Sequence, residues 1–160
     1  PSDVLVAQME ALDASPQPMA FSEVYGALQT GVVDGEAGNV IYWDYEYFRD
    51  SLDYYVQTKH FFMTGILSAN QDTWENMSEE EQKTVSDAAI EIMNEQFKAA
   101  KQQDDYYIAK AQEAGMKYFE PNEEQIREFA KAAREKVWPQ MDKEVGPEIM
   151  DTIRKNASPL

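Results

Sequence analysis

His60 is the only histidine in 160 residues, and there is no cysteine. These two facts bound the covalent chemistry open to the chain. Disulfides, Cys-ligated zinc and thiol catalysis are excluded, and a metal cluster built on several histidines is excluded with them. A nucleophilic triad would hang on one imidazole. That imidazole lies beside Phe61 and Phe62, a setting more usual for a structural histidine. The carboxylate pairs Glu79 with Glu80 and Asp104 with Asp105 are consecutive in stretches of helical spacing. Adjacent helical side chains diverge, so neither pair suits shared acid/base work. The residues argue for a protein that binds and does not catalyse, with no cofactor and no metal.

Residues 18–35 read Pro-Met-Ala-Phe-Ser-Glu-Val-Tyr-Gly-Ala-Leu-Gln-Thr-Gly-Val-Val-Asp-Gly. Met19, Ala20 and Phe21 form a short apolar run that suits the end of a buried strand. Ser22 stands where a helix N-cap would, with Glu23 in the first turn. Val24, Ala27 and Leu28 fall at i, i+3 and i+4 and make one face apolar. Gly31 fits a left-handed C-terminal cap. Val32 and Val33 would start a second strand, closed by an Asp34-Gly35 turn. The unit predicted is strand, helix, strand, the crossover of α/β lobes. Ligands in such lobes lie at strand ends and helix N-termini. By spacing alone, Phe21 and Ser22 read equally as a core residue and a cap.

Composition narrows the partners. Lys and Arg total 14 against 30 Asp and Glu, a formal charge of -16. That balance disfavours nucleic acid and anionic membrane surfaces, both of which need a basic face. A protein of this charge that binds an anion must gather its few cations locally. No apolar run approaches the roughly 20 residues that span a bilayer. The opening Pro1-Ser2-Asp3, with neither an initiator Met nor a signal peptide, is expected of a processed or truncated piece.

The elements that must position these residues are mostly helical. Residues 4–12 have amphipathic spacing, with Ser2 or Asp3 as cap. Residues 36–55 are rich in aromatics but interrupted by Asp44, Glu46, Arg49 and Asp50, which favours helical or irregular structure. Residues 56–69 carry the β-formers Val56, Thr58, Phe61, Phe62, Ile66 and Leu67 and are predicted extended. Ser78 with Glu81 is a capping box that opens the longest helix. An apolar stripe from Val85 through Ile92, Met93 and Phe97 to Tyr107 carries it to Ala114, before Gly115. Asn122 with Gln125 is a second capping box. The stripe Ile126, Phe129, Ala130, Ala133 and Val137 follows, and Pro139 is expected to close that helix. Gly146-Pro147 starts a last helix with Pro at N1.

Residues 18–35 resemble the signature of solute-binding proteins of TRAP transporters, the DctP-type family. The likeness extends over nearly the whole chain as the C-terminal portion of such a protein. Thr58-Lys59-His60, Trp74-Glu75-Asn76-Met77-Ser78 and Ala114-Gly115-Met116 support it. The resemblance implies an α/β, periplasmic-binding-protein-like (type II-like) lobe portion with a long spanning helix and additional C-terminal helices. Residues 1–57 would be mainly second-lobe elements, 58–77 a crossing strand region, 78–115 the spanning helix and 116–160 the C-terminal helices. The implied function is an extracytoplasmic, periplasmic receptor for a small organic acid that delivers it to the TRAP membrane subunits, not an enzyme.

The family's carboxylate anchor is the Arg of an Arg-x-Pro motif. Pro1 matches the Pro, so the Arg is expected two residues before this chain. Ser2, following that Pro, would line the site. Phe21, the signature Phe, would pack on the ligand. The family commonly has Asn four residues after the Val-Asp-Gly aspartate; here that position is Gly38, with Asn39 next. Either Asn39 takes over the contact or the hydrogen bond is lost. Trp43, Phe62 and Met63 fall in segments that often face the cleft, where they would wall the ligand; as aromatic and apolar residues they read equally as core. The alternative function is a helical interaction or dimerisation module without small-molecule binding, and self-association of the truncated piece is the matching partner expectation.

Overall fold

The computed structural model describes residues 2–159; the expectation for Pro1 lies outside the described residues. Ser2 caps the first helix, α1 (Asp3–Ala11), its hydroxyl accepting from the Leu5 amide at 3.5 Å. The second helix, α2 (Phe21–Gln29), begins earlier than its sequence implies. Its cap is Ala20 rather than Ser22, and the Glu23 carboxylate accepts from the Ala20 amide at 3.1 Å. Neither Met19–Ala20 nor Val32–Val33 forms a strand, so the predicted crossover is corrected to a single helix between loops. No partner strand lies beside either segment, and Phe21 in the helix can turn its ring onto Trp43, Tyr47 and Phe48. Gly31 does adopt the left-handed conformation after the helix, at φ +68°.

A short helix, α3 (Ile41–Trp43), runs directly into a π-helical turn, Asp44–Phe48. Such wide turns are unusual and occur often at functional sites. This one carries both Asp44 and Phe48 inward. Strand β1 (Tyr54–Val56) then pairs in parallel with β2 (Lys117–Phe119), Tyr55 opposite Tyr118. Parallel pairing needs a long crossover, and here it is supplied by α4 (Gln71–Glu75) and α5 (Glu79–Glu113). The predicted extended segment forms no strand between residues 57 and 70, and no second ladder reaches it among the described residues. The α/β expectation is thus met in reduced form, as a helix-rich chain around a two-stranded parallel sheet.

The Ser78–Glu81 capping box forms as read, with the Ser78 amide donating to Glu81 Oε2 at 2.8 Å. At about 1.5 Å per residue, α5 is roughly 50 Å long. Only its C-terminal end packs: Ala111 is buried with Ile41 and Met116, flanked by Tyr107 and Ile108. Val85, Ile92, Met93 and Phe97 on its apolar stripe are exposed.

Asn122 caps α6 (Glu123–Ala132) in the second capping box. The helix does not close at Pro139. It widens into a π-helical turn, Ala133–Val137, and restarts as α7 (Trp138–Glu144), with the proline in the first turn. There the missing N–H costs nothing, because first-turn amides have no partner in the helix. The last helix, α8 (Pro147–Asn156), starts at Pro147 as expected. Ala7, Ala11, Val137, Met141 and Met150 make the second core, joining α1 to the C-terminal helices. Among the described residues no helix is long and apolar enough to cross a membrane.

Gly38 ties the loop before α3 to α1. Its φ is +112°, and a Cβ there would stand 2.9 Å from Leu5 Cδ1. Gly38→Ala is expected to cost roughly 1–3 kcal/mol, from backbone strain and the clash together. Urea unfolding midpoints measure it. Adding Leu5→Ala should relieve the clash but not the strain, so the Gly38→Ala penalty is smaller in that background.

Candidate functional site

The loop of residues 34–40, the π-helical turn, β1 and the C-terminal end of α5 surround a wide cleft of about 1400 Å³. Asn39, Trp43, Phe62 and Met63 line it; Phe21, Gly38 and Ser2 do not. The Asn39 amide donates to Glu36 Oε2 at 2.7 Å. Trp43 stacks on Tyr47 with ring centres 5.3 Å apart. Phe21 meets Trp43 edge-on at 5.5 Å and Tyr47 at 5.4 Å, closing a three-ring cluster that backs Trp43. Phe62 and Met63 stand exposed on the segment after β1. Ser2 is occupied as a helix cap, and Gly38 faces Leu5.

Two functional candidates escaped the sequence reading. Asp44 lines the cleft and is only 4% exposed, yet its Oδ1 has no hydrogen-bond partner. Its carboxyl is hydrogen-bonded to that of Glu36. Burial, then the hydrogen bond with Glu36, then the charge of Glu36 push Asp44 up to about 9. Burial also raises Glu36, opposed by its hydrogen bonds with Asp44 and Asn39. Both carboxyls are thus held above the usual carboxylate range, chiefly by burial. The signal was present: Asp44 falls three residues after Ile41 and four before Phe48, on an apolar helical face.

The cleft is acidic. Asp34, Glu36, Asp44, Asp53 and Asp104 line it against a single ammonium, Lys59. That ammonium is already paired with Glu120 at 3.0 Å. No arginine lines the cleft among the described residues. Aromatic rings, among them Trp43, Tyr55 and Tyr107, fill much of the wall. Tyr55 is held protonated far above neutrality, chiefly by burial and next by the nearby Asp44. Among the described residues no group of three or more His, Asp or Glu side chains could hold a metal ion.

His60 is fixed as a structural residue would be. Its Nδ1 meets Thr58 Oγ1 at 2.5 Å, and its carbonyl accepts from Gln8 Nε2 at 3.1 Å. Its Nε2 is buried without a partner, and burial lowers its pKa from 6.5. The fold favours the neutral ring, so the unfolded chain takes up the extra proton in acid. Its stabilising contribution is present above about pH 6.5 and is lost as pH falls through the lowered folded value. The thermal midpoint should fall less between pH 7.5 and 5.5 in His60→Gln than in the parent; an equal fall in both would contradict this.

The chain matches the model of the bacterial extracellular solute-binding proteins, family 7, over residues 1–144. It is 30% identical over 155 residues to the ectoine-binding periplasmic protein TeaA of Halomonas elongata, covering 94% of this chain and 46% of that protein. It is 29% identical over 157 residues to the C4-dicarboxylate-binding periplasmic protein DctP of Vibrio cholerae serotype O1, covering 94% of this chain and 45% of that one. A solved structure of the periplasmic ectoine-binding protein of the TeaABC TRAP transporter of Halomonas elongata superposes with a TM-score of 0.85 at 30% identity, over 94% of this chain and 50% of that one. The chain spans about half the length of the curated relatives it matches.

Proposed function

Since this chain belongs to the bacterial extracellular solute-binding proteins of family 7, the DctP family of TRAP receptors, we propose that the protein carrying it captures a small organic acid in the periplasm and delivers it to TRAP membrane subunits. The observation that carries this reading is the wide cleft walled by Trp43 and Asn39 in a chain of this family. In this account residues 1–57 supply mainly second-lobe elements and residues 58–77 cross between lobes. Helix α5 spans both lobes, and residues 116–160 supply the C-terminal helices. Trp43 walls the ligand, with Phe62 and Met63 on the mobile side of the closing cleft. Phe21 holds Trp43 in place, and Gly38 and Ser2 hold the loop and α1 that frame it. Asn39 keeps one amide N–H on Glu36 and offers the other to a ligand oxygen.

This portion of the cleft has no free cation to grip a carboxylate. That grip is assigned to an arginine outside the chain, which suits the fork geometry of a carboxylate. Closure then removes water from the cleft and strengthens each polar contact. Calorimetry on the intact protein tests the reading, with one panel of acids that bear a nitrogen cation (ectoine, proline, 4-aminobutanoate) and one of acids that do not (succinate, galacturonate, sialic acid). At least one acid is expected to bind at micromolar concentration or below; no binding by any of them would count against the reading.

One observation favours a second reading, self-association of this piece. The exposed stripe of Val85, Ile92, Met93 and Phe97 on α5 is an apolar face without a partner among the described residues. Light scattering over a range of concentrations distinguishes a constant monomer mass from a rising one.

A further inference from the structure

The cleft carries chemistry that a plain carboxylate ligand does not use. A carboxyl group almost wholly withdrawn from solvent, Asp44, lines a ligand-sized cleft and leaves Oδ1 without a partner. A buried polar atom of that kind is costly unless something meets it. Glu36 lies against it, and Asn39 holds Glu36 in position at 2.7 Å. The remaining lining adds Asp34, Asp53 and Asp104, and the one ammonium present is already paired. Aromatic faces from Trp43, Tyr55 and Tyr107 line the same space. Carboxylates set among aromatic rings attract nitrogen cations by charge, by N–H donation and by the negative ring faces.

We propose that the Glu36 and Asp44 carboxyls form the subsite for a nitrogen cation, so that the acid captured is a zwitterion with an ammonium or amidinium group beside its carboxylate. This rests on the receptor reading and narrows it. Two buried carboxyls in contact resist carrying two negative charges, and a nitrogen cation beside them offsets that charge. The Asp44 and Glu36 carboxyls accept the cation's N–H groups, while the ligand's carboxylate takes the Asn39 N–H that Glu36 does not use. An acid without the cation would leave Asp44 unmatched and would meet net negative charge.

The two panels described above test this on the intact protein, with Glu36→Gln and Asp44→Asn as variants. Binding is expected from acids of the cationic panel, with ectoine as the leading probe. Each variant should weaken such an acid by at least about tenfold, the worth of a hydrogen bond to a charged group. Glu36 is the less buried of the two, so its variant provides the readout should Asp44→Asn fold poorly; circular dichroism checks both. Binding confined to acids without a nitrogen cation would overturn the inference and leave the receptor reading standing. So would a cationic acid that binds Glu36→Gln as tightly as the parent. Silence from both panels would overturn the receptor reading and this inference with it.

Discussion

Phe48→Ala is expected to lower the unfolding free energy by about 3–5 kcal/mol, the usual cost of emptying a filled aromatic site. Phe48 is 1% exposed. Its ring packs on Phe21 at 5.5 Å and on Tyr47 at 6.4 Å. The π-helical turn carries it inward, and the Phe21 and Tyr47 rings line the space it would leave. For a chain of this size the thermal midpoint should drop by roughly 10 °C. Phe48→Leu keeps most of the volume and should cost much less. Denaturant unfolding of both variants gives the comparison. A loss below about 1 kcal/mol for the alanine variant would mean that the aromatic cluster is not what holds the turn.

Trp43→Ala is expected to weaken acid binding about 30- to 100-fold, roughly 2–3 kcal/mol, the range of a buried aromatic anchor. Trp43 stands on the cleft wall and packs against both Tyr47 and Phe21, which also touch each other. Its backing is therefore fixed before a ligand arrives, and little ordering cost falls on binding. Trp43→Phe preserves a ring face and should lose no more than about tenfold. Titration of the intact protein reads both. Affinity within threefold of the parent in Trp43→Ala would remove Trp43 from the ligand contact surface.

The local features were legible and the pairings were not. Caps are set by three or four neighbouring residues, and Ser2, Ser78 with Glu81, and Asn122 with Gln125 all appear where their spacing places them. Pro147 likewise starts its helix. Strands are decided by what lies alongside. Val32 and Val33 have β propensity and no partner among the described residues, whereas Lys117–Phe119, unmarked in the sequence, finds β1 63 residues earlier. Pro139 misled because a proline reads as a stop, and the π-helical turn before it lets the chain restart in register. The stripe on α5 was visible, but periodicity cannot say whether a partner is present, and most of it is exposed.

Of the residues marked by sequence at the cleft, Asn39, Trp43, Phe62 and Met63 line the cavity, whereas Ser2, Phe21 and Gly38 do not. Glu36 and Asp44 were not marked, because a carboxylate in a sequence reads as solvent-facing. Only the three-dimensional neighbours, Glu36 against Asp44 and Asn39 against Glu36, show that this one is kept from water.

The most direct test is a crystal structure of the intact protein with the organic acid that calorimetry selects. The acid should lie in the cleft, its apolar body against the Trp43 indole and an oxygen within hydrogen-bond reach of Asn39. An acid bound elsewhere, with Trp43 and Asn39 still facing solvent, would contradict the account.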